Sequence, residues 1–350
     1  MNNKLSYFIE KGNNNFDLLR LIAAIIVIYS HSFELAFSSG QSDVFTKLSR
    51  GLANGGGLAV EFFFLLSGIL VTNSLISSDN LKKFIISRFF RIYPPFLFVL
   101  ITTAVIISPF LSSLDITQYF SDGGVSQYLR HSAKLKIEYN LPGVFTGNIY
   151  KNAVNGSLWT IPFEVGAYFS LFSAYIITGG KKNIRYLSVV CLLIIILPIL
   201  NIGDGLFFSK QNLSVSLALA CFALGALFAI HKENVPVSLA YPIAFFIISY
   251  LSEENYLKHL TFFYFSSTLL LYIGTLNFIK KIRVPIDISY SVYLWGFFVQ
   301  QIVYMYLPNL NIYVNQIICI LLTIIISIPT FKFIEKPSMT LGKKLNRRFD

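Results

Sequence analysis

The chain has 350 residues, of which 55% are hydrophobic and only 13% are charged. Its mean hydropathy of +0.64 lies well outside the range of soluble globular domains. The formal net charge of +11 suggests nucleic acid as a partner, but the basic residues fall in short clusters between apolar runs, where they orient a membrane protein. The composition therefore argues against a soluble domain and against nucleic-acid binding, and predicts that the lipid bilayer is the main solvent.

Ten apolar stretches predict membrane-spanning helices, because a hydrocarbon core about 30 Å thick needs roughly twenty apolar residues per helix. The first stretch follows a polar N-terminus and has no small-residue cleavage site, so it predicts a retained helix and not a signal peptide. We expect an all-α integral membrane protein whose single domain, 1–350, is one helical bundle. The predicted helices lie near 18–37, 56–77, 91–111, 158–178, 185–200, 212–230, 236–251, 259–279, 288–307 and 313–334.

Basic residues distinguish the two sides of this bundle. The connections after even-numbered helices and the C-terminal tail hold most of the Lys and Arg residues, for example Lys82 and Lys83. By the positive-inside rule both termini are cytoplasmic. The longest connection, 112–156, then lies outside, where it either shapes an acceptor site or is a solvated linker with an interfacial helix.

The cysteines give no sign of a metal site. Cys191, Cys221 and Cys319 lie inside apolar runs and lack metal-ligand spacing. We expect them to be packing residues, and we expect no metal and no permanently bound cofactor.

The first predicted helix carries three ionisable residues, which are costly in a bilayer unless they face a cavity or a partner. Arg20 and His31 are eleven residues apart in an α-helix. Their side chains therefore lie within roughly 20° of the same helix face and are separated by roughly 16 Å along the helix axis. Glu34, one turn beyond His31, continues that face. The stripe predicts a cation at the cytoplasmic end and a His/Glu pair in the outer half. The alternative is that Arg20 reaches to lipid headgroups and His31 makes a structural hydrogen bond.

Two further helices carry charged residues at their ends or interiors. In the second helix Glu61 is buried among glycines that permit close helix packing. At the start of the third helix, Arg88 and Arg91 lie one turn apart and form a candidate clamp for phosphates, or else act only as cytoplasmic anchors.

The fourth helix begins with a polar and aromatic segment. Pro162 is tolerated in the first turn, which places Glu164 roughly 5–10 Å below the outer surface, at a depth comparable with His31. The two side chains are therefore predicted to meet as general base and orienting carboxylate, unless Glu164 only complements the helix dipole. Ser157, Trp159 and Tyr93 are candidate residues of an acceptor pocket, although an interfacial position also explains a tryptophan.

These residues resemble the type 3 membrane acyltransferases, which O-acylate bacterial surface polysaccharides such as O-antigen and exopolysaccharide. The resemblance covers most of the chain, and the order and spacing of its motifs are more specific than any one of them. The motifs are Phe16-Asp17-Leu-Leu-Arg20 with His31, Glu61-Phe-Phe-Phe-Leu-Leu-Ser-Gly68, Arg88-x-x-Arg91-Ile-Tyr93-Pro94, Ser157-Leu-Trp-Thr-Ile-Pro-Phe-Glu164, Ile288-Ser-Tyr-Ser-Val-Tyr-Leu-Trp295 and Phe333-Ile-Glu-Lys-Pro337.

The resemblance implies a cytoplasmic acyl-CoA donor, an arginine and a histidine of the first helix that are essential to activity, and a glycan acceptor outside the bacterial inner membrane. Two features depart from the family. Gly296 stands where a histidine often follows the Tyr-Leu-Trp motif, and the chain ends about thirteen residues after Pro337, as expected of a stand-alone membrane form.

The predicted reaction transfers an acyl group, expected to be acetyl, from acyl-CoA to a hydroxyl of an exported or surface polysaccharide. Arg20, Arg88 and Arg91 are expected to hold the donor phosphates, and His31 to act as general base, oriented by Glu164 or Glu34. Glu61 is a further candidate for the pocket. The alternatives are a transporter or flippase for a glycan or lipid-linked sugar, whose inverted repeats we do not find, and a non-catalytic component of polysaccharide export.

Overall fold

The computed structural model describes residues 3–36, 42–151, 153–202, 212–282 and 284–349. Within these residues the chain forms sixteen α-helices and no β-strand. In chain order the helices are α1 Leu5–Ile9, α2 Phe16–Ala36, α3 Val44–Leu48, α4 Gly55–Ser78, α5 Leu81–Ile101, α6 Ile116–Ser121, α7 Gly124–Ala133, α8 Ile161–Ile177, α9 Ile184–Ile199, α10 Leu213–Ile230, α11 Ala240–Leu251, α12 Asn255–Ile273, α13 Asn277–Lys280, α14 Ser289–Tyr306, α15 Ile312–Thr330 and α16 Lys336–Asn346. Two π-helical segments, Thr102–Ile107 and Phe331–Glu335, follow α5 and α15, and 3₁₀ turns occupy Ser108–Phe110, Gly156–Thr160, Gly180–Asn183 and Arg347–Phe349.

The helices confirm an all-α integral membrane protein. Among the described residues, seven helical stretches are long and apolar enough to cross a membrane. They are Phe16–Ala36, Gly55–Ser78, Leu81–Phe110, Gly156–Ile177, Gly180–Ile199, Leu213–Ile230 and Ile312–Phe349. Each of the ten predicted spans coincides with a helix, but α11 is short, with 12 residues, and α12 and α14 are less apolar. The count of ten spans therefore stays a prediction.

Contacts between Cα atoms divide the chain into two compact units. Unit 1 comprises Met1–Ala23, Val44–Leu81 and Phe163–Asp287, and unit 2 comprises Ala24–Asp43, Lys82–Pro162 and Ile288–Asp350. Helix α2 thus contributes its residues through Ala23 to unit 1 and the remainder to unit 2. The prediction of one domain over the whole chain is not tested by this division.

Unit 1 is built around the close packing of α4 on α10. A Cβ atom on Gly68 would lie 2.2 Å from the carbonyl oxygen of Phe222, and one on Gly225 would lie 2.1 Å from that of Leu65. The two glycines therefore allow the helix backbones to touch, as the sequence predicts for the glycines of this segment. Asn54 begins α4 by accepting a hydrogen bond from the backbone N–H of Gly57 at 2.7 Å.

We expect Gly68→Ala to destabilise the protein by about 1–3 kcal/mol, because the new methyl group meets backbone, which cannot rotate away. Thermal unfolding of the purified protein in detergent measures the effect. Gly147→Ala is the matched control, since nothing lies within 4 Å of a Cβ at that position. Equal melting temperatures for the two variants would show that α4 and α10 separate without cost.

In unit 2 the second half of α2 packs on α14. A Cβ atom on Gly296 would lie 2.8 Å from Cγ1 of Ile28, so glycine permits the close approach of the two helices. Gln300 donates from Nε2 to the carbonyl oxygen of Ile28 at 2.8 Å and to Oγ of Ser32 at 3.0 Å. The departure from the family pattern at Gly296 thus has a packing explanation, and the polar bonds of Gln300 fix the register of the two helices.

Helix α5 begins at Leu81, ten residues before the predicted start near 91, so the predicted boundary is wrong. Pro94 and Pro95 lie inside the helix and lack the N–H groups that would bond the carbonyls four residues earlier. Ser338 compensates for one of them by donating from Oγ to the carbonyl oxygen of Phe90 at 2.6 Å. The helix continues through the prolines because α16 supplies the missing donor.

The 112–156 connection is packed and not a solvated linker. Its first part, residues 112–144, returns to its starting point, and we call it the folded-back hairpin. At its base Ser113 donates from N to the carbonyl oxygen of Gly143 at 3.0 Å. Farther along, Tyr119 donates from its hydroxyl to the carbonyl oxygen of Ala104 at 2.8 Å, and both Tyr119 and Tyr128 are buried. The hairpin therefore lies along the second half of α5 and its π-helical extension.

Candidate functional site

His31 lies in the part of α2 that belongs to unit 2. Its ring meets that of Phe297 edge-on, with centroids 5.3 Å apart and an interplanar angle of 79°. Atom Nδ1 is buried and has no hydrogen-bond partner among the residues that the structure describes. Glu34, one turn later, is exposed. A buried imidazole nitrogen without a partner is costly unless it serves a ligand or a reaction, by about 1–3 kcal/mol.

The segment before α8 reaches the same phenylalanine. A Cβ atom on Gly156 would lie 2.6 Å from the ring of Phe297, which shows how closely the backbone approaches. The adjacent Ser157 is buried, and its Oγ has no hydrogen-bond partner within the described part of the chain. Asn155 donates from Nδ2 to the carbonyl oxygen of Leu294 at 2.8 Å, while its buried Oδ1 has no partner in the same residues.

Tyr293 holds this segment in place. Its hydroxyl donates to the carbonyl oxygen of Ser157 at 2.7 Å and lies 2.7 Å from Oγ1 of Thr160, which is the donor in that pair. Phe297 thus contacts the ring of His31 and the backbone at Gly156, and buried polar atoms without described partners occur on His31 and on the two neighbours of Gly156, Asn155 and Ser157. We call these three residues and Phe297 the polar centre of unit 2.

Helix α14 supplies polar side chains to which the sequence analysis assigned no role. Gln301 donates from Nε2 to the carbonyl oxygens of Tyr150 and Ala153 at 2.9 and 2.7 Å. Asn148 in turn donates from Nδ2 to Oε1 of Gln301 at 2.8 Å. Two adjacent glutamines in an apolar helix are themselves a signal, because polar side chains within a membrane need partners. Their bonds attach the end of the 112–156 connection to α14.

A cavity of about 270 Å³ lies beyond the polar centre in unit 2. Leu35, one turn after His31, and Tyr304 of α14 line one side of it. Ser112, Ser113, Thr146 and Asn148 supply hydroxyl and amide groups, Phe145 supplies an aromatic ring, and no lining residue is charged. Ser157, Trp159 and Tyr93 do not line it, so their role in an acceptor pocket stays a prediction.

Arg20 lies in unit 1 and is held by carboxylates. Its Nη1 lies 3.0 Å from Oδ2 of Asp287, and its Nη2 lies 3.1 Å from Oδ1 of Asp17. Both partners are close in space although Asp287 is distant in sequence. The charge of Arg20 is thus balanced by protein groups, and its predicted contact with donor phosphates requires that a phosphate compete with them.

Arg91 also has a protein partner. Its Nη1 lies 2.7 Å from Oε1 of Glu335, whose side chain is fully buried, and Ser291 donates from Oγ to the other carboxylate oxygen at 2.8 Å. Arg88, one turn before Arg91, is partly buried. The hydroxyl of Tyr93 donates to the carbonyl oxygen of Ala133 in the folded-back hairpin. Arg91 is therefore engaged in an ion pair, Tyr93 contacts the end of α7, and the clamp of Arg88 and Arg91 stays a prediction.

Two predicted carboxylates belong to unit 1. Glu61 is buried on α4, and its Oε2 has no hydrogen-bond partner in the described residues. Glu164 accepts a hydrogen bond at Oε1 from the hydroxyl of Tyr168 at 2.5 Å. The predicted pairing of Glu164 with His31 stays a prediction. Across the part of the chain that the structure describes, His, Cys, Asp and Glu side chains form no cluster of three that would hold a metal ion.

The helices define a multi-pass membrane protein, and the buried polar atoms without described partners mark a candidate functional site. The model of a family described as "Acyltransferase domain" matches residues 13–332. The chain belongs to this family, the type 3 membrane acyltransferases, and it is an O-acyltransferase.

Named relatives agree with this assignment. The chain is 27% identical over 342 residues to an O-acetyl transferase of Shigella phage Sf6, a match that covers 94% of this chain and 96% of that protein. It is 34% identical over 163 residues to Nodulation protein 10 of Rhizobium leguminosarum bv. viciae, covering 45% of this chain and 43% of the relative. It is 36% identical over 102 residues to the peptidoglycan O-acetyltransferase OatA of Listeria monocytogenes serovar 1/2a, covering 27% of this chain and 14% of the relative. No solved structure matches the chain significantly.

Proposed function

We propose that the protein transfers an acetyl group from acetyl-CoA to a hydroxyl of an exported or surface polysaccharide at a bacterial inner membrane, with both termini in the cytoplasm. The single observation that carries the proposal is the polar centre, where His31, whose ring contacts Phe297, and the neighbours of Gly156, Asn155 and Ser157, have buried atoms without described partners. Such atoms are stabilised when a substrate supplies the missing hydrogen bonds. The names of the phage and Listeria relatives support acetyl as the group transferred.

In this proposal His31 is the general base. A free imidazole nitrogen accepts the proton of the sugar hydroxyl while that oxygen attacks the thioester carbonyl carbon. The Ser157 hydroxyl, which has no described partner, donates to the carbonyl oxygen as negative charge develops there. The bond from carbon to sulfur then breaks, and the protonated His31 returns its proton to the leaving thiolate.

The cavity supports a carbohydrate acceptor. Its lining combines aromatic rings with neutral hydroxyl and amide groups, which suit the apolar faces and hydroxyls of a sugar. Because the lining carries no charge, a neutral sugar unit fits it better than a uronic acid does. Leu35 on its wall lies about 6 Å along α2 from His31, so a chain bound there lies near the proposed base.

The test uses purified protein in liposomes with acetyl-CoA carrying a labelled acetyl group. We expect label in polysaccharide isolated from the same strain, with one CoA released for each acetyl group transferred, and mass spectrometry of the glycan identifies the acetylated sugar. Release of CoA without label in any glycan, or label only from a donor other than acetyl-CoA, would contradict the proposal.

We expect Ser157→Ala to lower turnover by about 10²–10³-fold without loss of stability, since the hydroxyl it removes is a proposed oxyanion donor with no described partner. Thr160→Val is the matched control, because it removes a hydroxyl bonded to Tyr293 and is expected to cost about 1 kcal/mol of stability. Turnover and melting temperature are measured on both variants. A Ser157→Ala protein of normal turnover would exclude this hydroxyl from the reaction.

A further inference from the structure

The tip of the folded-back hairpin, residues 130–136, contacts α5 at Tyr93, which follows Arg88 by five residues and Arg91 by two. The hairpin contacts α5 and its extension at two levels, Tyr119 at Ala104 and Ala133 at Tyr93. Because these levels are eleven residues apart in a helix, the hairpin descends by about 16 Å between them. Helix α7, with ten residues, has a length of about 15 Å and fits this descent.

The return arm has the length that this path requires. It runs from Lys134, next to the tip contact, back to Pro142, whose carbonyl oxygen accepts a hydrogen bond from Oγ of Ser112 at 2.8 Å. Eight residues in extended conformation span about 26 Å, enough to climb from the tip to the base. The hairpin thus runs down along α5 and back up within one side of the protein.

The tip is cationic. Arg130, Lys134 and Lys136 are exposed, and the side chains of the two lysines make no hydrogen bond with residues that the structure describes. The nearby carboxylate of Glu138 is already engaged, because His131 lies 2.6 Å from it and this hydrogen bond lowers the pKa of Glu138 below its ordinary value. By the positive-inside rule, a basic cluster of this kind favours the cytoplasmic side.

We infer that the tip of the hairpin reaches the cytoplasmic face and that Lys134, Lys136 and Arg130 bind phosphate groups of the nucleotide part of the acyl donor, beside Arg88. The inference rests on the proposed use of acyl-CoA. It differs from the expectation that the whole 112–156 connection lies outside, since it leaves only the base of the hairpin and the cavity residues there. The side chains of Lys134 and Lys136 make no hydrogen bond with described residues, whereas Arg91 is paired with Glu335, and the one charge found to interact with Lys136 is that of Glu138.

The location of the tip is tested by labelling single introduced cysteines with a membrane-impermeant maleimide, in right-side-out and in inverted vesicles. The native cysteines are buried and give a low background. We expect Lys134→Cys to react only in inverted vesicles and Thr146→Cys, on the cavity wall, only in right-side-out vesicles. Labelling of Lys134→Cys from the outer side alone would overturn the inference.

Phosphate binding is tested with Lys134→Gln/Lys136→Gln in liposomes of phosphatidylcholine. We expect the KM for acetyl-CoA to rise about tenfold or more, the equivalent of one charge-assisted hydrogen bond, and the KM for acetyl-pantetheine, which lacks phosphate, to stay unchanged. Lys47→Gln/Lys151→Gln is the matched control, because it removes the same charge from positions predicted to lie outside. An unchanged KM for acetyl-CoA would overturn the inference.

The phosphate groups of anionic lipids are the other ligand that the basic tip could bind. Liposomes that contain phosphatidylglycerol distinguish binding to lipid from binding to the acyl donor. An effect of the lysine variant that appears only with the anionic lipid assigns the tip to lipid headgroups and overturns the donor assignment. Failure of the proposed function is distinguishable from failure of this inference, since the wild-type protein would then transfer acetyl neither from acetyl-CoA nor from acetyl-pantetheine.

Discussion

His31→Ala is expected to lower the rate of acyl transfer by about 10²–10⁴-fold, because the proposed general base is lost. The protein is expected to remain folded and inserted, because Nδ1 of His31 makes no hydrogen bond with the described residues. The contact with Phe297 is a ring contact at the surface of the polar centre, so alanine removes some packing but leaves no polar group unpaired. The measurement is acetyl transfer to glycan per molecule of inserted protein.

His259→Ala is the matched control for this prediction. His259 bonds through Nδ1 to the carbonyl oxygen of Asn255 in the first turn of α12 and belongs to unit 1. We expect its loss to leave turnover unchanged. If His31→Ala instead keeps normal turnover per molecule and only lowers abundance, His31 is a structural residue, and the carboxylates Glu61 and Glu164 become the candidates for the base.

The sequence was sufficient to predict the spanning helices and the residue on which the reaction is proposed to depend. A lipid bilayer restricts the secondary structure of an apolar spanning segment, because the backbone N–H and C=O groups of such a helical protein must be paired within its helices. The apolar runs therefore locate the helices well, and a histidine inside such a run, like His31, is conspicuous. The role of Gly68 in helix packing follows from the same logic, since only a small residue lets two backbones touch.

Other features depend on partners far away in the chain. The register that pairs Arg20 with Asp287, or Arg91 with Glu335, is set by tertiary packing and leaves no periodic signal. The early start of α5 was missed because Lys82, Lys83 and Arg88 interrupt the apolar run before residue 91, and the hydroxyl of Ser338 that compensates for Pro94 is invisible in the local sequence. The folded-back hairpin was missed for a similar reason, since a polar connection gives no sign of being packed.

The ion pair between Arg91 and Glu335 changes the effect that we expect from replacing Arg91. From the sequence, the replacement of both Arg88 and Arg91 by Ala is expected to weaken donor use more than folding. In the structure Arg91 lies 2.7 Å from Glu335, a fully buried carboxylate whose other oxygen is bonded by Ser291. Removal of the guanidinium leaves that buried carboxylate without this cation in a medium of low dielectric constant.

We therefore expect Arg91→Ala to lower the free energy of unfolding by about 3 kcal/mol, the low end of the range for a broken buried pair, because Arg91 is itself 24% exposed. Arg91→Met/Glu335→Leu, which removes both charges, is expected to recover most of this loss, since similar apolar volume replaces the pair. Lys343→Ala, an exposed charge on α16, serves as the control with no expected change. Thermal unfolding in detergent gives the stabilities, and the KM for acetyl-CoA is measured on the same samples. A stable Arg91→Ala protein with a raised KM would show that Arg91 mainly binds the donor, as the sequence predicts, and a destabilised one rescued by the second replacement would show that it mainly balances Glu335.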